Sequence, residues 1–495
     1  MKKNSKAFTL IKNLDMSEKR YFKLFAERHA TENKSIILFE IIDNISTEND
    51  AEIKQLLAER NVSAAFLAAD KNYLYNQILR SLQGFHHKKS LTIYQIEKLL
   101  QIELLYEKGL YDLCIYEAES TLKIAEKKED FSLKIELLTW LRKAVGYSKG
   151  LMSAYQINQM IKHNNDLMAN QIAYTDLYYE SLKIKFGGFK ARDIKQIAQF
   201  KKLFQNPLLK DVKNAKSLLA KLRYYLIYAN YYYVINDAKK EKEHLKITLQ
   251  LMEHSEYYHV ENPFDYIYVF NFYLNLLKND NTTIFYKELS RFKNFSDAVK
   301  ISKEKSEMQI FHFSALVELN MKIERGLYKD CLEIIPAIEA KLKKFADRIE
   351  PAIQINLFYL FAYAYFKTSQ HRKALLIANH IINNYQENDK EDIYNLSKVF
   401  LLILHYELNH SDLLEYLVPR TIKDLKKKGK LYQTEMLVLN VLQKTHSVTT
   451  YNKARNFVTL REKLLDLKST KFEATANTLF DFEDWCNQKI MQFKD

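Results

Sequence analysis

The chain has 495 residues, of which only 8 are Gly, 5 Pro and 3 Cys, and its formal charge is +14. So little Gly and Pro excludes folds built on bulges and Gly-rich loops, and the length exceeds what one compact core serves, so several domains or an elongated array of helical units are expected. With 75 basic residues against 61 acidic ones, the surface is one that attracts acidic proteins, nucleic acid or anionic membrane.

Tyr (34) and Phe (29) are abundant, which marks a chain that buries large side chains rather than one that stays disordered. The longest apolar run, Leu357 to Phe366, has ten residues, whereas a membrane-spanning helix needs about 20. The start, MKKNSKAFTLIKNLDMSEKRYF, lacks both a long apolar core and a small-residue cleavage site, so it does not read as a secretory signal. Cys114, Cys331 and Cys486 include no CxxC pair, so neither a disulfide framework nor a thiolate zinc site is expected, and a cytoplasmic location is.

In chain order, residues 1–89 are expected to form an N-terminal helical bundle or cap. Ser17 is the expected N-cap of a helix carrying Tyr21 and Phe22, Lys34 to Ile45 is a short apolar helix, and Asp50 to Glu59 and Ser63 to Phe85 follow. The last two, joined near Asn61, have the spacing of a helix-turn-helix, with Lys71, Asn72 and Asn76 as its base-reading candidates. A bundle that hides the first apolar face of an array accounts for the same pattern.

Residues 90–480 change to paired helices of roughly 15 to 20 residues with short polar turns, and residues 481–495 form a C-terminal helix end. Turns are expected near Gly109, Gly187 and Gly188, Asn236, Asp280, Gly326, Ser369, His410 and Thr449. From Asn236 onward they are spaced by 44, 46, 43, 41 and 39 residues, a drifting period that marks stacked helical hairpins. Two of the corners nearly repeat, EKGLYDLCI from Glu107 and ERGLYKDCL from Glu324. In each, Gly takes the sharp turn, Tyr111 or Tyr328 wedges between the helices, and Cys114 or Cys331 is the first inward residue of the second helix. Several units apart, the two thiols are not expected to pair.

The stretch FYLFAYAYFKTSQHRKALLIANHII, Phe358 to Ile382, resembles the tetratricopeptide repeat family: Phe358, Phe361, Ala362 and Tyr365 fall on its first-helix positions and Ala374 on the small residue of its second helix. Thr450 to Ala454 resembles the same corner again, and the longer spacing resembles the long-helix relatives of the family. The resemblance implies an all-α fold, a right-handed superhelical array of antiparallel helix pairs (a tetratricopeptide-like solenoid) behind the N-terminal bundle, and it assigns no functional residue.

Signatures of P-loop, dinucleotide, nucleophile-elbow and zincin chemistry are absent. His86 and His87, His254 and His259, and His405 and His410 are close pairs, none at the i, i+4 spacing that sets two imidazoles on one helix face. No enzyme, cofactor or metal is therefore expected. The aromatic runs from Arg223 to Asp237 and from Phe264 to Leu277 read as inter-helix packing rather than as base-stacking platforms. The candidate contact residues for a phosphate or an acidic partner are Arg420, Lys423, Lys426, Lys427, Lys428 and Lys430; the same cluster also reads as a helix C-terminus whose lysines oppose the macrodipole before a Gly429 cap. A second basic stretch, Phe189 to Phe204, reads as an amphipathic helix with a solvated charged face. The leading expectation is a non-enzymatic scaffold or adaptor that binds a segment of an acidic partner protein along a concave face. The alternatives are a nucleic-acid or ribonucleoprotein binder using its basic helix faces, and a peptide-sensing regulator with an N-terminal effector bundle.

Overall fold

The computed structural model describes residues 4–29, 34–86, 91–186, 194–299, 303–345, 348–429, 431–444, 450–467 and 480–493, and among these residues every regular element is a helix. The turns expected at Gly187 and Thr449, Lys430 of the basic cluster and part of the Phe189 to Phe204 stretch lie outside the described residues. The chain divides into two compact units, Met1–Asp237 with Ser255–Glu261, and Ala238–His254 with Asn262–Asp495.

The first unit begins with α1 (Lys6–Lys12), α2 (Met16–His29), α3 (Lys34–Asn44), α4 (Asp50–Glu59) and α5 (Leu67–His86). These five share their own core, centred on Phe8, Phe22, Phe39, Ile42, Leu57, Leu74 and Ile78. The cap of α2 is Asp15 instead of Ser17: Glu18 N donates to Asp15 Oδ1 at 2.8 Å and Asp15 N donates to Glu18 Oε2 at 2.9 Å, so one reciprocal pair satisfies two orphan amides and moves the start two residues upstream. Asn61 takes φ 57° between α4 and α5 as the turn requires. Lys71, however, is buried between Glu48 and Asp50, which removes it as a base-reading residue.

Next come α6 (Leu91–Glu107), α7 (Tyr111–Lys127), α8 (Phe131–Ser148), α9 (Leu151–Phe186), α10 (Ile194–Leu203), α11 (Leu218–Ile235), α12 (Ala238–His254) and the short α13 (Tyr258–Glu261). Ile102, Cys114, Ala118, Leu138 and Ala144 are the buried centre of the α6 to α9 packing. Helix α9 departs from the expected 15 to 20 residues, running 36 without a break. In its polar middle, which contains HNND, Asn164 and Asn165 donate to the carbonyls of Met160 and Ile161 one turn earlier, at 2.8 and 3.0 Å, so both amide groups find acceptors on their own helix.

The second unit holds α12 together with α14 (Pro263–Leu277), α15 (Thr282–Asn294), α16 (Lys303–Glu324), α17 (Tyr328–Phe345), α18 (Pro351–Lys367), α19 (His371–Asn384), α20 (Glu391–Glu407), α21 (Ser411–Lys427), α22 (Gln433–Lys444), α23 (Thr450–Leu467) and α24 (Phe482–Gln492). From α14 to α24 each helix packs on the next, and α14, α16, α18 and α20 each also pack on the next but one. Phe361, Ala362 and Ala374, from the stretch that resembles the tetratricopeptide repeat, are each 0% exposed. Ala362 and Ala374 share one core, where their small side chains let α18 and α19 approach, while Phe361 fills the core with Phe311 of α16 and Cys331 of α17.

One turn recurs through both units. At Gly109, Glu129, Asn236, Gly326, Ser369 and Asn409 the chain enters the left-handed region with φ between 54° and 72°. At each, the following amide reaches back to the carbonyl five residues earlier, for example Leu110 to Leu105 at 3.0 Å, Leu327 to Lys322 at 2.8 Å and Gln370 to Tyr365 at 2.9 Å. This is the Schellman closure, which satisfies orphan carbonyls of the ending helix. A Cβ at Gly326 would meet nothing within 4 Å, so Gly326→Ala is expected to cost about 1 kcal/mol through its backbone conformation alone. The reverse change at an equivalent turn, Ser369→Gly, whose exposed side chain holds nothing else in place, is expected to add a similar amount; urea unfolding of both variants checks the pair.

Candidate functional site

Helix α21 carries the basic cluster named from the sequence. Leu414, Val418 and Leu425 are its buried face, which leaves Arg420, Lys423, Lys426 and Lys427 exposed. Lys428 is the C-cap and Gly429 follows at φ 66°, as the helix-terminus reading requires. The cluster is not uniform. Lys428 Nζ is held by Glu387 Oε2 at 2.5 Å and by Asp424 at 3.1 Å, and Lys398 Nζ reaches Asp424 Oδ2 at 2.8 Å. Those lysines hold the Asp424 carboxyl below its usual range, Lys398 first, while Glu387 first and then Asp424 push the Lys428 ammonium up. An anion arriving at Lys428 must therefore displace two carboxylates. Arg420, Lys423, Lys426 and Lys427 make no ion pair among the described residues, and Arg420 only approaches the Tyr416 hydroxyl at 3.5 Å.

A larger basic surface lies in the first unit. Between residues 183 and 223 the sequence has twelve basic residues and two acidic ones, a longer imbalance than at α21. Lys183, Lys201, Lys202, Lys210, Lys213, Lys216 and Lys221 are exposed, and the ion pairs of the described residues use none of them. The aromatic runs behave as packing: Tyr231 lies 5.6 Å from Phe200 and Tyr228 stacks on Phe204 at 4.7 Å, while Tyr266, Phe270 and Tyr273 are buried in α14.

A cleft of about 590 Å³ beside α1, α4 and α5 is lined by Lys6, Glu48, Asp50, Lys71 and Tyr75, with Lys71 paired to both carboxylates and Lys6 lying 5.9 Å from the centre of the Tyr75 ring. His405 and His410 do meet, Nδ1 to Nδ1 at 3.0 Å across the turn after α20, a contact that their i, i+5 spacing hides because the turn, and not one helix face, brings them together. No group of three or more potential metal ligands exists among the described residues.

The cysteines occupy three separate cores, Cys114 with Ile102 and Leu138, Cys331 with Leu319 and Leu357, Cys486 with Phe480 and Trp485, and all three are free. Burial pushes every thiol up, Cys331 to about 11 and Cys486 to about 12. Thiolate is the reactive form, so a thiol reagent at neutral pH is expected to leave all three unlabelled in native buffer and to label all three in denaturant. Compared with known proteins, the chain matches no family model, no curated protein and no solved structure.

Proposed function

We propose that this protein is a non-enzymatic scaffold or adaptor that binds a segment of a partner protein along a tetratricopeptide-like array, the right-handed solenoid of helix pairs that the sequence resembles, with α1 to α5 as its cap. The alternating contacts of α14, α16, α18, α20 and α22 support the array, because first helices that touch one another through successive hairpins line one side of such a stack. Three unpaired cysteines suit a reducing compartment, and the cytoplasm is the proposed location. No helix of the described residues is long and apolar enough to cross a membrane.

The observation that carries the reading is the outward face of the α6–α7 hairpin. Ile96, Leu100 and Leu104 stand at successive turns of α6 and are 55%, 56% and 61% exposed, and Leu113 and Tyr116 on α7 are 53% and 67% exposed. Large apolar side chains in such a row are what a partner covers. Local charge refines the partner. The hairpin from Leu91 to Lys127 holds seven acidic and four basic residues, so its occupant is an apolar helix with basic flanks, while the acidic partner expected from the net charge suits the lysine end of α21. The test compares tagged wild-type protein with Leu100→Asp/Leu104→Asp by quantitative co-purification. Selective loss of one set of partners with unchanged thermal unfolding supports the reading, and an unchanged partner set removes this face from it.

A further inference from the structure

The corner between α8 and α9 turns its apolar side chains away from the core. Gly150 takes φ 89°, its amide donating to Val145 O at 3.1 Å. The last turn of α8 then lies against the first turn of α9, where a Cβ at Gly146 would stand 3.8 Å from that of Ala154. Ala154 and the buried Ile157 are the α9 residues turned to that contact, so Leu151, Met152 and Tyr155 fall on the outward side of the helix. They are 84%, 76% and 60% exposed, and Tyr147 on the last turn of α8 is 71% exposed. Leu151 is the most exposed large apolar side chain among the described residues. Helix α11 and the connection before it are tied to α9 at Asn170, Tyr174 and Ser181, about five turns or more beyond the corner.

Charge at this corner has one sign. From 137 to 165 the sequence holds no acid and four basic residues, Arg142, Lys143, Lys149 and Lys162. The bounding acids, Glu136 and Asp166, lie about 16 and 22 Å along their helices from Tyr147 and Leu151, beyond a Debye length of about 8–10 Å. Lys143 and Lys149 are exposed and enter no ion pair of the described residues, Lys143 Nζ sitting 3.9 Å from the centre of the Trp140 ring. Arg142 donates to Asn158 Oδ1 at 2.5 Å. The α6–α7 corner stands beside this one, since Tyr111 stacks on Tyr147 at 5.1 Å with the ring planes 6° apart, and it brings Glu107, Lys108 and Asp112. The two corners together therefore carry Lys108, Arg142, Lys143 and Lys149 against Glu107 and Asp112, and the balance stays basic.

An outward apolar tip of a single turn suits a fluid surface. A partner protein would have to offer pockets shaped for Leu151 and Met152, whereas acyl chains close around any shape. The chemistry along the tip is ordered as at a membrane interface: aliphatic side chains outermost, tyrosines on either side with a ring for the apolar phase and a hydroxyl for water, and amines at and behind the turn. The basic balance selects lipids of negative charge. We propose that the α8–α9 corner docks on an anionic bilayer surface, with Leu151 and Met152 entering below the headgroups, Tyr147 and Tyr155 at their level, and Arg142, Lys143 and Lys149 facing the phosphates.

The test uses the full chain and vesicles of phosphatidylcholine with and without about 30% phosphatidylserine, read by co-sedimentation at about 100 mM salt. Binding to the anionic vesicles that falls as salt rises is the expected result. Leu151→Asp/Met152→Asp is expected to weaken it at least about thirtyfold, because the acyl phase excludes carboxylates. Lys143→Ala/Lys149→Ala is expected to weaken it about twentyfold, each amine near an anionic surface counting for about fivefold. An environment-sensitive dye on Met152→Cys, where the new thiol is accessible and the three native ones are buried, is expected to shift to the blue on these vesicles. Leu100→Asp/Leu104→Asp on α6 is expected to bind vesicles like wild type, and circular dichroism verifies that each variant is folded. Absence of binding to the anionic vesicles overturns the proposal. So does equal binding to pure phosphatidylcholine, a dye that keeps its solution spectrum, full binding by Leu151→Asp/Met152→Asp, or equal loss in the α6 control. If wild type ignores vesicles and Leu151→Asp/Met152→Asp loses a protein partner in membrane-free extract, the corner is a protein interface and the proposal falls.

Discussion

Glu407→Ala is expected to destabilise the second unit by about 3–5 kcal/mol, the cost of leaving a buried charge without its partner. Glu407 closes α20 and receives two donors from α24, the Lys489 ammonium and Trp485 Nε1, the latter at 2.7 Å. Its side chain is 7% exposed and that of Lys489 10%, so neither charge is offset by water. His371 Nδ1 stands 4.0 Å away, and burial holds that imidazole below its ordinary pKa. Further ties fix α24 to the same neighbourhood: Lys367 pairs with Asp484, and Trp485 sets its edge on Phe457 at 5.2 Å. Removing the carboxylate leaves the Lys489 ammonium with only the neutral Gln492 Oε1, at 2.8 Å, and takes the acceptor from the indole N–H. The expected signature is a lower urea midpoint and a red shift of Trp485 emission, distinguishable because the chain has only one other Trp, Trp140. Replacing both charges, Glu407→Leu/Lys489→Met, is expected to recover most of the loss, since a well-packed apolar pair avoids the desolvation cost. An unchanged midpoint in Glu407→Ala would show that the C-terminal helix is held by its apolar contacts alone.

None of that lock was legible in the sequence, because its halves lie 82 residues apart and nothing local marks Glu407 as different from any other helix-terminal acid. What could be read was the local chemistry. Gly109 and Gly326 announced their turns since glycine is the residue that enters the left-handed region freely, and Cys114 and Cys331 landed in separate cores as the corner pattern implied. The turn at Glu129 went unseen: there the Schellman hydrogen bonds, Asp130 to Ala125 at 3.1 Å among them, impose the geometry on a residue with no preference for it. The same contrast governs the basic surfaces. Lys426, Lys427 and Lys428 look equivalent in sequence, yet Glu387, 41 residues from Lys428, singles one of them out. Lys201 and Lys202 belong to the basic stretch that the sequence shows from Phe189 to Phe204, whereas Lys210, Lys213, Lys216 and Lys221 are spaced too widely to stand out as a cluster.

Acid should weaken this protein well before its carboxylates titrate, and His312 is the reason. It sits in α16 at 5% exposure, its ring against Phe313 at 4.3 Å. Burial lowers its pKa from 6.5 to about 4, so the folded state keeps the imidazole neutral where the unfolded chain already binds a proton. The unfolded state therefore gains stability as pH falls below 6.5, and the folded protein loses it progressively down to about pH 4, below which this group adds no further slope. At 1.36 kcal/mol per unit, His312 accounts for a loss of about 2 kcal/mol between pH 7 and pH 5, and about 3 kcal/mol in full. His405 and His371, also lowered by burial, act in the same direction. The carboxylates held low by lysine or arginine, Glu40, Glu304 and Asp424, lose their contribution only in stronger acid, which keeps the window from pH 7 to 5 clean. Urea unfolding of wild type and His312→Leu across that window is the measurement. The variant is expected to lose less stability on acidification, by about 2 kcal/mol at pH 5, and parallel curves would mean that His312 is reached by water and titrates normally.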